Sequence, residues 1–214
     1  MEKKTKKYFT TIPLQYSKED LKKVIYDSID NPALEYGETR FPIIPVIANT
    51  VNADDTIEVA VILTCDNGIK KSEIEKNYQF FKDELEELKK SNVFKDYRIT
   101  EILTEDNERI ETQIKLLKDM MAEIGDNQQL YSCTTYGTKP TPVVMMLALN
   151  YGYKIKNNTT VENVVYGRYI NGSKTNIGSL YDITALFYAN SYINRIADSK
   201  ITNPDDALDK FLQF

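Results

Sequence analysis

The run Ile57–Cys65, IEVAVILTC, is apolar almost without interruption. A helix or strand with one wet face would show polar residues at a regular interval. A run this short and continuous, rich in β-branched residues, suits a strand covered on both faces. Such a strand needs helices above and below its sheet, so the remaining sequence has to supply two helical layers.

It has the means to do so. Lys7–Leu14, Tyr97–Leu103, Leu130–Thr134 and Val161–Ile170 read as further strands. Between them, Ser72 and Glu75 form a capping-box pattern ahead of Ile74, Tyr78, Phe81, Leu85 and Leu88, spaced by threes and fours. On that helix Asp83, Glu84, Glu86 and Glu87 read as a solvated charge run. Asn107 is placed to cap a second helix, with Ile110, Ile114, Leu117, Met120 or Met121 and Ile124 as its core face and Gly125 as its stop. A third helix spans Pro142–Tyr151, with Thr141 as N-cap and Gly152 just past its end. Ser17 opens a helical pattern through Leu21, Val24, Ile25 and Ile29, stopped by Pro32. Arg40–Thr50 carries Pro42 and Pro45 and reads as an edge strand or irregular extended segment. Asn171–Ser179 reads as turns, and Leu180–Ala197 and Pro204–Leu212 as closing amphipathic helices, with Asp182 near the start of the first as a first-turn dipole partner or cap.

Alternating strands and helices predict an α/β fold, a Rossmann-like, mostly parallel sheet with helices on both faces. This domain is expected over residues 1–179, with a small C-terminal helical extension over residues 180–214 packed on it. In such sheets ligands bind outside the carboxyl ends of the strands. Thr10, Thr11, Thr64, Asn107 and the loop Thr134–Pro140, TTYGTKP, all fall there. The loop precedes a helix N-terminus, where unpaired N–H groups and the helix dipole favour an anion. Within it, Tyr136 is placed to stack on a base. It is not a P-loop, since Gly137 stands alone and Pro140 follows Lys139 where a hydroxyl would hold Mg²⁺. Nor does it carry the G-x-G-x-x-G dinucleotide pattern.

Composition removes other classes. With no histidine, the chain has no His-based triad, imidazole base or His zinc site. A net charge of −5 disfavours duplex nucleic acid as a partner. Cys65 and Cys133 lie in apolar runs, as reduced core residues do. The basic Met1–Lys7 segment leads into no apolar stretch of the kind a signal peptide needs, and Val143–Leu149, the longest apolar run, is too short to span a bilayer. A soluble, cytoplasmic protein with no membrane partner is expected.

The segment from Leu103-Thr104-Glu105-Asp106-Asn107-Glu108 through a helix and strand to Cys133-Thr134-Thr135-Tyr136-Gly137-Thr138-Lys139-Pro140 resembles the CARF domain of type III CRISPR ancillary proteins. In that family the last main strand commonly ends in a D-x-T-x-G-T-K-P-like loop. The likeness extends over roughly Lys7 to Asp198, including Thr10-Thr11 after the first strand and Tyr181-Asp182-Ile183-Thr184 at the start of a late helix. Cys133 departs from it, standing where an aspartate is common. The resemblance implies a homodimer binding a cyclic oligoadenylate, cyclic tetra- or hexa-adenylate, across its dyad without metal or cofactor. It implies Gly137, Thr138 and Lys139 as contacts to phosphate and ribose, with Thr10 and Thr11 lining the pocket, and Lys139, Thr10 and Thr11 as catalytic; Thr135, Tyr136, Asn107 and Thr64 are added as ligand-binding residues by their place at the strand ends and in the loop. The HEPN ribonuclease found in many relatives needs a histidine, which this chain lacks. Two functions fit: a ring nuclease that degrades the messenger by attack of ribose 2′-OH groups, leaving 2′,3′-cyclic phosphate ends, and a non-enzymatic sensor controlling a separate effector or forming the sensory part of a longer one. The first is favoured, because a lone sensor needs a partner that the sequence does not show.

Overall fold

The computed structural model describes residues 3–14, 21–169, 176–199 and 201–211. Among these, nine strands form one sheet: β1 Thr5–Thr11, β2 Val24–Ser28, β3 Glu38–Thr39, β4 Thr56–Asp66, β5 Ile69–Lys70, β6 Asp96–Glu105, β7 Gln128–Cys133, β8 Thr160–Arg168 and β9 Ile177–Asp182. The helices are α1 Ile43–Thr50, α2 Ser72–Lys90, α3 Ile110–Ala122, α4 Thr141–Ile155, α5 Thr184–Ser199 and α6 Pro204–Phe211.

At the centre lie five parallel strands in the order β8-β7-β1-β4-β6. β9 adds antiparallel to β8, β2 runs parallel to β9, and β3 closes that edge antiparallel to β2. β4 contains the apolar run and pairs with β1 on one side and β6 on the other. Its side chains alternate between two cores, as the period of a strand requires. Ile57, Val59, Val61 and Leu63 pack with α1 and α2, while Ala60 and Ile62 pack with α3, α4 and α5. The fold is thus α/β and Rossmann-like, a mixed and mostly parallel sheet between two helical layers.

Several local expectations are corrected. Residues 21–29 are not helical; Val24, Tyr26 and Ser28 are buried and Ile25 and Asp27 exposed, a period of two that makes β2 a strand. The Ser17 end of that pattern lies outside the described residues. Arg40–Thr50 is not extended from end to end: α1 starts at Ile43, with Pro42 as N-cap and Pro45 in the first turn. There a missing N–H removes no intrahelical bond. Asn171–Ser179 is not all turn, since Ile177–Ser179 belong to β9; Leu180–Asp182 complete that strand and α5 starts only at Thr184. Asp182 caps α5 by accepting from the Thr184 amide at 3.0 Å. The Ser72–Glu75 box does not form, because α2 starts at Ser72 with Lys71 as its N-cap. Ile110 and Ile114 are exposed, and the buried face of α3 is Gln113, Leu116 and Met120. Gly152 lies inside α4, where a Cβ would come within 2.7 Å of Leu130 Cδ1. Both cysteines are free and buried, and among the described residues no helix is long and apolar enough to cross a membrane.

The end of the sheet away from the site is fastened by Asp55. Its carboxylate meets Lys3 Nζ at 2.8 Å, Lys6 Nζ at 2.6 Å and the Asn52 amide at 2.8 Å. Burial alone would raise its pKa, but these donors outweigh burial and hold it at about 2, against an ordinary 3.8. A carboxyl whose pKa is lowered by folding contributes stability above its unfolded pKa and loses it as pH falls through the folded one. Asp55 is therefore expected to contribute about 2 kcal/mol above pH ~4, lost between about pH 4 and 2. Urea unfolding of wild type and Asp55→Asn across that range should show the difference between them shrinking as pH falls. A constant difference would refute the assignment.

Candidate functional site

In the parallel core the chain passes from β1 to β4 on one side, while β7 lies on the other. The sheet order reverses between β1 and β7, and in open α/β sheets the crevice at such a reversal is the usual ligand site. A cavity of about 260 Å³ opens there. Ile12, Pro13 and Leu14 line it from the end of β1, Thr64 from β4 and Asp106 from the end of β6. The remaining wall is Thr135, Tyr136, Gly137 and Thr138, between β7 and α4.

This loop is held from several directions. The Thr134 amide donates to Val165 O at 2.9 Å, and Gly167 N–H donates to Thr135 Oγ1 at 2.7 Å. Tyr136 Oη donates to Arg40 O at 3.0 Å. Thr138 Oγ1 lies 3.1 Å from Thr141 Oγ1, and the Thr141 amide donates to Thr138 O at 2.9 Å. Gly137 has φ +110°, a conformation that L side chains rarely adopt. A Cβ there would also meet Thr141 Oγ1 at 2.8 Å. α4 begins at Thr141, one residue earlier than a Thr141 N-cap would place it, so Pro140 is the N-cap and Pro142 takes the second helical position.

The backbone amides of Tyr136, Gly137, Thr138 and Lys139 donate to no described residue. Four successive free N–H groups beside a helix N-terminus suit an anion. Asp106 is the one charged lining residue among those described, and Lys71 pairs with it. Attraction for an anion therefore comes from backbone dipoles and hydroxyls, with Lys139 alongside.

The expected site residues fall into three groups. Thr64, Thr135, Tyr136, Gly137 and Thr138 meet at the cavity. The Thr135 hydroxyl is already engaged, by Gly167 and by Cys133 Sγ at 3.0 Å, and the Tyr136 hydroxyl serves to anchor the loop. Burial raises the Tyr136 phenol well above its usual pKa, and neighbouring Tyr26 adds to this. Lys139 is exposed just outside the lining, with no hydrogen bond or ion pair among the described residues. The third group, Thr10, Thr11 and Asn107, does not line the cavity. Thr10 and Thr11 are buried at the β1 end, and Thr11 Oγ1 has no hydrogen-bond partner among the described residues. Asn107 is not the N-cap of α3, which is Arg109; it stands two residues before it, its Oδ1 accepting from the Arg109 amide at 3.1 Å and from Thr112 Oγ1 at 2.7 Å. Cys133 offers no nucleophile, because burial pushes its thiol up to about 11.

Sequence reasoning missed Leu14 as a lining residue and missed Arg40 as the anchor of Tyr136. Neither carries a local signal, for Arg40 and Tyr136 are 96 residues apart. Comparison with protein-family models and with curated protein sequences found no match for this chain.

Proposed function

We propose that two copies of this chain bind one cyclic oligoadenylate, cyclic tetra- or hexa-adenylate, at paired Thr135–Lys139 loops, and that the bound ring is cut by its own ribose hydroxyls. The observation that carries the reading is the row of four free amides in a clamped loop at the β1–β7 reversal. Each loop offers donors for one phosphate, and a ring presents repeated phosphates to a two-fold pair of loops. A dimer also accounts for the exposed Ile110 and Ile114 of α3 and Val143 and Leu147 of α4, on the first two turns of adjacent helices beside the loop. Aliphatic residues grouped in this way mark an interaction surface.

In the cleavage step a ribose 2′-oxygen attacks the adjoining phosphorus in line and loses its proton. The P–O5′ bond breaks, and the leaving oxygen takes up a proton. The products carry 2′,3′-cyclic phosphate and 5′-hydroxyl ends. The protein contributes alignment, worth roughly several kcal/mol, and Lys139 stands by the charge that grows on the phosphorane oxygens. Thr10 and Thr11 are buried and do not line the cavity, whose β1 side is Ile12, Pro13 and Leu14, so alignment falls to the loop.

Binding without cleavage is the second reading, favoured by the absence of a free acid or base among the described lining residues. Incubating labelled rings with the protein in EDTA separates the two. Linear adenylates with cyclic phosphate ends are expected, formed slowly. Lys139→Ala is expected to abolish cleavage and weaken retention. Rings retained but uncut by wild type would establish the sensor, and unchanged cutting by Lys139→Ala would remove that residue from the mechanism.

A further inference from the structure

A second cleft, of about 620 Å³, lies on the opposite flank of the same loop. Thr134 and Pro142, which bracket the Thr135–Thr138 wall, line it on one side. On the other side stand Tyr166 and Arg168 of β8 and Tyr181 of β9. Tyr166 pairs with Tyr181 in the β8–β9 register, and their rings stack at 6.4 Å with an interplanar angle of 23°. Tyr166 is 41% exposed although it is aromatic and sits in mid-strand. Arg168, two residues on and therefore on the same face, is exposed, and its guanidinium has no ion pair or hydrogen bond among the described residues.

An open aromatic face beside an unpaired guanidinium is poorly suited to a packing role. Packing would bury the ring, and a structural arginine would meet a carboxylate. It suits a planar heteroaromatic ring carrying a phosphate, the ring stacking on the tyrosine and the guanidinium meeting the phosphate oxygens. Asp30 also lines the cleft and supplies an acceptor for an exocyclic amino group. We infer that this cleft is a purine-nucleotide subsite: Tyr166, backed by Tyr181, stacks on the base and Arg168 holds the adjoining phosphate. The loop forms the ridge between the two cavities, so a chain of nucleotides can lay a phosphate on the ridge and a base in this cleft. That the base is an adenine of a cyclic oligoadenylate rests on the reading above; that the cleft takes a purine nucleotide does not.

The test uses 2-aminopurine riboside 5′-monophosphate, whose fluorescence is quenched by stacking, with the full chain. Saturable quenching is expected in wild type. Tyr166→Ala should weaken it at least about tenfold, the scale of one base–aromatic stack. Arg168→Ala should weaken it and flatten its dependence on salt. Both side chains are exposed, so circular dichroism of the variants should match wild type. Absence of saturable quenching in wild type, or equal quenching in all three proteins, would overturn the subsite. Quenching of the monophosphate by a protein that binds no cyclic ring would leave the subsite standing and reject the ring as ligand.

Discussion

Replacing Glu84 with alanine is expected to destabilise the protein by about 3 kcal/mol. Its carboxylate is buried in α2, accepts from Thr39 Oγ1, and meets Arg40 Nη1 at 3.0 Å. Alanine would leave the Arg40 guanidinium without its carboxylate and the buried Thr39 hydroxyl with only the Phe41 carbonyl, at 3.4 Å, as acceptor. Breaking a buried pair from one side ordinarily costs about 3–5 kcal/mol, and Arg40 keeps some contact with water, which places this case at the lower end. The effect should reach the site, because the Arg40 carbonyl is the acceptor that anchors Tyr136. Urea unfolding should register the loss, while Asp83→Ala, one residue away but exposed, should stay within about 0.5 kcal/mol of wild type. A loss below about 1 kcal/mol for Glu84→Ala would mean that the pair does not hold α2 to the β3–α1 connection.

The second large effect is expected at Gly137. Alanine there must adopt φ near +110° and place its Cβ 2.8–2.9 Å from three atoms of Thr141, so the loop has to move. Displacement of about 1 Å in a positioning element can cost about 100-fold, and the variant is expected to lose ring binding on that scale. Gly68→Ala makes the control. Gly68 also has positive φ, +76°, on the β4–β5 turn, but nothing lies within 4 Å of its added Cβ. Ring affinity should survive in that variant. Equal affinity in Gly137→Ala and wild type would place the ligand elsewhere.

The sheet was legible because β4 is apolar on both faces and the long helices α2, α3 and α4 carry their own periodicity. Failures came where the local pattern is short or two-valued. Val24–Ser28 alternates over only five residues, and Leu21, Val24, Ile25 and Ile29 also satisfy a helical spacing. The prolines of α1 argue against a strand interior and are equally at home in a helix's first turn. Ile110 and Ile114 fit a core face by spacing, and only the packing of α3 against its neighbours turns them outward. Glu84 fits an exposed charge run, yet the fold brings Arg40 to it across 44 residues. At the site the TTYGTKP loop was evident from composition and position. That its hydroxyls would serve to hold the loop, leaving the backbone amides for a ligand, follows from contacts with Arg40, Val165 and Gly167 that no local window contains.

Titration of labelled cyclic tetra- and hexa-adenylate against the purified chain, with stoichiometry from calorimetry and mass from light scattering, tests the central claim most directly. Saturation at one ring per two chains by one of these rings is expected, with the affinity lost in Gly137→Ala and kept in Gly68→Ala. A wild-type chain that binds neither ring would contradict the account.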